Sequence, residues 1–209
     1  MGCQKWQPFF DFSILRSYYS REIEKKMTSL ETDIFIRCQN GDKTAFRSVV
    51  QTYQRLVFSL AFKMLADEDE AKDVVQETFI RVWQGIGGYD VRRPFTTWLY
   101  TIASRLCLDR FKRINRIVPM PDDEVVLRWF ASEADTQRSL ENSELVAIVR
   151  TLTDQLSAKQ KLVFTLCQLE GLSSDEVERI TGLNASQVKS NLYVARQTIR
   201  EKLKQLGYE

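Results

Sequence analysis

The side chains best suited to chemistry in this chain are cations, hydroxyls and rings gathered on two stretches. From Arg92 to Arg113 stand Arg92, Arg93, Arg105, Arg110, Lys112 and Arg113, against Asp109 alone. An excess of that kind suits the neutralisation of phosphates. Aromatic rings are interleaved there as Tyr89, Phe95, Trp98, Tyr100 and Phe111. Trp98 lies near the apolar stripe of its helix, so packing competes with stacking on a base. Tyr100 points away from that stripe and is expected to be free to touch a ligand.

The second stretch is GLNASQVKSNLYVARQTIR, Gly182 to Arg200. At about 100° per residue of helix, Val188, Leu192, Ala195, Ile199 and Leu203 form one apolar stripe. Ser186, Ser190, Tyr193 and Gln197 fall opposite, with Lys189 and Arg196 on one flank. Hydroxyls, an amide, a phenol and cations can all meet phosphates or base edges in a major groove. A solvated face on an ordinary helical bundle explains the same pattern, and this helix alone does not choose between them.

Other chemistries are poorly provided for. The chain has no histidine, and its cysteines (Cys3, Cys38, Cys107, Cys167) are scattered without a CxxC pair. A zinc site and histidine acid–base catalysis are therefore not expected. Neither a glycine-rich phosphate loop nor a nucleophile elbow occurs. The expectation is a protein without catalytic residues, metal, cofactor or small-molecule substrate. Cysteines inside apolar periodic segments pack as small hydrophobes, which suits a reducing cytoplasm. No apolar run approaches the roughly 20 residues that span a bilayer, so direct membrane insertion is not expected.

The elements that must carry these groups are helical. Of 209 residues, 44% are hydrophobic and 28% charged, with only 4 Pro and 8 Gly, and the net charge is +2. A first helix can be capped by Ser29 and run to about Gln39, where Asn40–Asp42 ends it. A long second helix buries Phe46, Val49, Val50, Tyr53, Val57, Leu60, Ala61 and Met64. ADEDEAKD opens a third, its carboxylates favoured by the positive end of the helix dipole; it runs to about Gln84. A fourth begins near Pro94 and carries Phe95, Trp98, Leu99, Ile102 and Leu106 on one face.

From Ile114 the pattern changes. The stretch to Val149 holds seven carboxylates against three arginines, with Pro119 and Pro121 near its start. It reads as a solvated acidic linker to about Ser139, with a short helix at Val125–Phe130. Four helices follow, near 140–152, 158–169, 174–181 and 185–206. Ser173 to Glu176 (SSDE) forms a capping box, Gly182 closes the short third of these, and Asn184 can cap the last. A short helix, a turn with glycine and a longer helix make a helix-turn-helix. The expected fold is all-α, with two small helical domains joined by a flexible acidic linker and a helix-turn-helix in the C-terminal one.

DEAKDVVQETFIRVWQGIGGYDVRRPFTTWLYTIASRLCLDRFKR resembles the second conserved region of bacterial sigma factors of the extracytoplasmic-function group, within the sigma-70 family. LSAKQKLVFTLCQLEGLSSDEVERITGLNASQVKSNLYVARQTIREKL resembles their fourth region, and the order and spacing of the two make the resemblance specific. It implies residues 29–113 as a region 2 domain, 114–139 as linker and 140–209 as a region 4 domain. Residues 1–28 would be a disordered extension, and Met27 the expected native start.

The resemblance implies a transcription initiation factor that joins core RNA polymerase, recognises minus-ten and minus-thirty-five promoter elements and assists melting. Asp73, Gln76, Glu77 and Ile80, which share a helix face, would meet the coiled coil of the beta-prime subunit. Minus-ten DNA would fall to Arg92, Arg93, Trp98, Tyr100, Arg105, Arg110, Lys112 and Arg113. The minus-thirty-five element would fall to Ser186, Lys189, Ser190, Tyr193 and Arg196. Arg105 stands where the family often has asparagine, and Asn191 and Val194 where it often has arginines. Many relatives are held by an anti-sigma factor, often membrane-anchored. A repressor or activator using only the helix-turn-helix would leave the Asp73–Glu77 face and TTWLY unexplained; a helical module that binds proteins alone is the other alternative, decided by promoter-dependent transcription with purified core enzyme.

Overall fold

The computed structural model describes residues 32–117 and 150–205. The expectations for residues 1–28, for the Val125–Phe130 helix and for most of the acidic stretch lie outside them. All regular elements among the described residues are helical. Helix α1 spans Thr32–Gln39, α2 Lys43–Leu65, α3 Glu68–Gly85 and α4 Phe95–Ile117. After a helical turn at residues 150–153 come α5 (Ala158–Phe164), α6 (Ser174–Thr181) and α7 (Ala185–Gln205).

Local chemistry explains the boundaries. Asp42 caps α2 by accepting from the Thr44 and Ala45 amides at 2.8 and 3.0 Å, while Arg37 donates to its other oxygen. The amides and the guanidinium hold the Asp42 carboxyl below the usual range. Asp67 caps α3, whose first turn adds Glu68, Asp69 and Glu70 at the positive end of the dipole. In the C-terminal unit three capping boxes recur, Ser157 with Gln160, Ser173 with Glu176, and Asn184 with Gln187. Gly182, at φ 72°, takes the left-handed position that ends α6 and begins the turn into α7.

Two details depart from the periodicity. Helix α4 continues to Ile117, into the stretch read as linker. The helix expected over 158–169 changes at Thr165 into a π-helical segment, Thr165–Leu169. There the Glu170 amide reaches back to the Thr165 carbonyl at 2.9 Å, and the wider turn rotates everything after it.

The buried stripes of α1–α4 meet as expected around Val49, Val57, Leu60, Met64, Val74, Val82, Leu99 and Ala103. That core does not stop at the end of α4. Leu162, Val163, Leu166, Val177, Ile180 and Val188 belong to the same buried cluster. Helix α4 packs against both α5 and α6. A second, smaller core of Leu152, Leu156, Phe164, Leu169, Ala195 and Ile199 is internal to the C-terminal helices. Cys38 and Cys107 are buried and free, and burial pushes the Cys107 thiol up to about 12.

Candidate protein and nucleic-acid interfaces

Helix α3 divides as its sequence pattern requires. Ala71, Val74, Thr78, Phe79 and Val82 are buried, while Asp73, Gln76 and Ile80 are exposed, Ile80 at 44%. Glu77 is half-buried and accepts from Arg81 one turn on at 2.9 Å. Two carboxylates, an amide and an exposed isoleucine therefore share a surface suited to a cation-bearing helix.

The basic stretch is less uniform than its count of charges suggests. Arg92 and Arg93 lie in the loop before α4, where Asp90 accepts from the Arg92 side chain and backbone. Those bonds hold Asp90 near 2. Arg105 and Lys112 are exposed on α4 and enter no salt bridge among the described residues. Arg110 differs. Its guanidinium is mostly buried and bridges Glu70 and Asp73 of α3. Arg113 also reaches Glu70, at 3.2 Å. The charges of Arg110 and Arg113 thus fasten α4 to the acidic face of α3.

The aromatic residues are mainly a scaffold. Phe35, Tyr53, Tyr89, Phe95 and Trp98 pack ring on ring, and Trp98 stacks on Tyr89 with centroids 5.0 Å apart. Trp98 is only partly buried, so part of it stays open to solvent. The loop before α4 is fixed from below by Gln39, whose amide donates to the carbonyls of Ile86 and Tyr89 at 3.1 and 2.7 Å. Nothing in the sequence around Gln39 signals that tether, because its partners are about fifty residues away.

Tyr100 corrects an expectation. Instead of pointing to solvent it is 4% exposed, under the C-terminal unit, and its hydroxyl donates to Glu170 at 2.9 Å. Burial, with the Glu170 charge next to it, holds the phenol well above its usual range. Tyr100 belongs to the same buried cluster as Leu99 and Leu106. The surface it reaches is covered by α5 and α6 instead of water.

The face of α7 keeps its expected direction. Val188, Ala195 and Ile199 are buried, with Leu192 and Leu203 packed at the margin. Ser186, Lys189, Ser190 and Tyr193 are exposed, Tyr193 at 66%, and Arg196 is half-buried. With Leu192 they line one shallow depression of about 390 Å³ that contains no acidic side chain. All five residues assigned to this surface therefore converge.

No helix among the described residues is long and apolar enough to cross a membrane, and none of their His, Cys, Asp or Glu groups could hold a metal ion.

Comparison with known proteins adds what geometry cannot. The family model for sigma-70 region 2 matches residues 49–117, and that for sigma-70 region 4 matches residues 147–199. The chain is 31% identical over 177 residues to the ECF RNA polymerase sigma-E factor of Haemophilus influenzae, spanning 81% of this chain and 93% of that protein. It is 29% identical over 180 residues to the ECF RNA polymerase sigma factor SigW of Bacillus subtilis, spanning 80% and 94%. Among solved structures, CnrH in complex with the cytosolic domain of CnrY is similar at a TM-score of 0.63 and 21% identity, covering 84% of this chain and 97% of that one. The sigma factor RpoE bound to the anti-sigma factor NepR of Bartonella quintana gives 0.57 and 21%, covering 76% and 96%.

Proposed function

Because the chain belongs to the extracytoplasmic-function group of the sigma-70 family, we infer that it is a transcription initiation factor. It binds core RNA polymerase, directs the enzyme to promoters through minus-ten and minus-thirty-five elements, and assists melting. It acts by binding, in the cytoplasm, and carries no catalytic centre of its own. The observation that carries this reading is the succession of region 2 and region 4 matches in one chain, with both α3 and α7 presenting exposed polar faces.

In this reading residues 29–113 form the unit for polymerase and minus-ten DNA, and residues 140–209 the unit for the minus-thirty-five element. Asp73, Gln76, Glu77 and Ile80 take the coiled coil of the beta-prime subunit. Arg92, Arg93, Trp98, Arg105 and Lys112 are the groups of the N-terminal unit open to minus-ten DNA. Arg110 and Arg113 act one step back, holding α4 on α3, and Tyr100 becomes available when the units separate. Ser186, Lys189, Ser190, Tyr193 and Arg196 read the minus-thirty-five duplex. Two solved relatives by fold were captured with CnrY and NepR, and an inhibitor of the anti-sigma kind is a fitting regulator here.

Transcription with purified core polymerase on genomic fragments, with the 5′ ends sequenced, tests the whole reading. Discrete start sites sharing two upstream elements are expected; no transcript above core enzyme alone would overturn it. Glu77→Lys is expected to weaken core binding roughly tenfold through charge reversal at the interface. Undiminished affinity would remove α3 from the polymerase surface.

A further inference from the structure

One buried ionic cluster, apart from its Tyr100, is used by none of the surfaces above. Glu170, at the end of the π-helical segment, directs its carboxylate into the N-terminal unit. One oxygen accepts from the Lys63 ammonium at 2.7 Å and the Ser59 hydroxyl at 3.2 Å; the other accepts from the Tyr100 hydroxyl at 2.9 Å. Lys63 and Glu170 are both nearly enclosed. The sequence separations are 111, 107 and 70 residues, so the arrangement is wholly tertiary.

The division of roles is one-sided. Ser59 and Lys63 lie one turn apart on α2, Tyr100 faces them from α4, and in this cluster all three are donors. The acceptor side chain that all three share, Glu170, is supplied by the other unit, whose Leu169 carbonyl also accepts from Lys63 at 3.5 Å. An ammonium, a hydroxyl and a phenol converging on two oxygens form an anion cradle, and they are the groups that bind backbone phosphates. If the units part, the three donors lose the carboxylate they share while they stay recessed, and the loss of such a partner is costly.

We propose that Ser59, Lys63 and Tyr100 form an anion site of the N-terminal unit, filled by the Glu170 carboxylate in the closed form and taken by a DNA backbone phosphate when the units separate. The inference rests on the reading that this unit engages minus-ten DNA. Glu170 then acts as an internal competitor for DNA, and the ion pair has opposite meanings for its two partners.

That opposition is the test. The full chain is titrated with a short fluorescein-labelled single-stranded DNA of mixed sequence, by anisotropy, over a range of salt. Glu170→Gln is expected to tighten binding about three- to tenfold. Lys63→Met should weaken it by a similar factor and flatten the salt dependence by roughly 0.7, the share of one phosphate on a single strand. Lys63→Arg should retain the wild-type slope, and the Lys63→Met, Glu170→Gln double variant should bind like Lys63→Met. Separation of the units is read independently by amine labelling of Lys161, which is 3% exposed and lies over the Phe111 ring of α4. Glu170→Gln should accelerate it severalfold.

A merely structural ion pair would shift DNA affinity in the same direction for both single variants, or leave it unchanged, and either result overturns the site. Arg105→Ala and Lys112→Ala separate the two levels of the argument. If they weaken DNA binding while Lys63→Met does not, the anion site falls alone. If none of the three matters, the minus-ten reading falls with it.

Discussion

The outer face of α7 and the flank of α4 that carries Tyr100 both looked like free polar surfaces of amphipathic helices. One is open: Ser186, Lys189, Ser190, Tyr193 and Arg196 line a common depression facing solvent. The other is occupied: Tyr100 is buried beneath α5 and α6, and its hydroxyl is bonded to Glu170. A helix's own periodicity identifies which side leaves its local core. It carries no information on whether another part of the chain then covers that side.

The difference can be probed from the covered side first. Leu166 is fully buried and belongs to the cluster that also contains Val57, Leu60 and Leu99. Leu166→Ala is expected to cost about 2–5 kcal/mol and to displace the denaturation midpoint seen by Trp83 and Trp98, which lie in the other unit. A tryptophan transition that stays in place would mean the two units unfold independently, and the contrast with α7 would be lost.

Lys161 gives the next effect, with the opposite sign. Burial, reinforced by Arg150 and opposed by Asp154, lowers its ammonium to about 8. Lys161→Met should therefore stabilise the closed chain by about 1–3 kcal/mol, the usual scale for an enclosed polar group. The sign of the pH dependence follows. With a folded pKa of about 8 against an ordinary 10.5, the stabilising contribution of the neutral amine is complete above the ordinary value. It declines as pH falls towards 8 and is absent below it. Thermal melts of wild type and variant should converge at high pH; parallel profiles would show that Lys161 does not titrate with opening.

A smaller change concerns the helix that covers α4. Ser173→Ala removes the cap of α6, where the hydroxyl accepts from the Glu176 amide at 3.3 Å, and should cost about 1 kcal/mol. The Ser173 hydroxyl and amide hold the Glu176 carboxyl below its ordinary value. That contribution is present above the ordinary carboxylate range and disappears as pH falls through the lowered pKa. Calorimetry from pH 7 downward should show the variant losing less stability on acidification than the wild type.

The smallest effect on stability belongs to the open face. Lys189→Ala should leave the melting point within about 0.5 kcal/mol equivalent, yet flatten the salt dependence of duplex binding by roughly 0.9. A large loss of stability would mean that α7 is covered as α4 is.

Most helix boundaries were readable because their causes are local. Asp42, Ser173 and Asn184 cap helices through amides two or three residues ahead. Gly182 stands where a left-handed residue was needed, and the stripes of α2, α4 and α7 repeat every three or four residues. The π-helical segment escaped that reading because no residue type marks it; its widened turn appears only in the bond from Glu170 back to Thr165. The residues proposed for α7 stay together on one exposed face because one helix supplies all of them. The residues proposed for α4 do not stay together in the same way. Arg110 and Arg113 bear the same charge as Arg105, but partners on α3 claim them.

Among the described residues, the amino-acid order therefore determined which stretches become helical, most of the caps that begin and end them, and the main apolar stripe that each must bury. Those outcomes follow from backbone hydrogen bonds and side-chain spacing within a few residues. The tertiary structure decided which outward charges and hydroxyls remain outward. The carboxylate of Glu170 gains its partners only when folding sets it against Ser59, Lys63 and Tyr100, from 70 to 111 residues away. The energy of an ion or hydroxyl depends on its partners and its access to water, and neither is a property of the residues beside it in the chain.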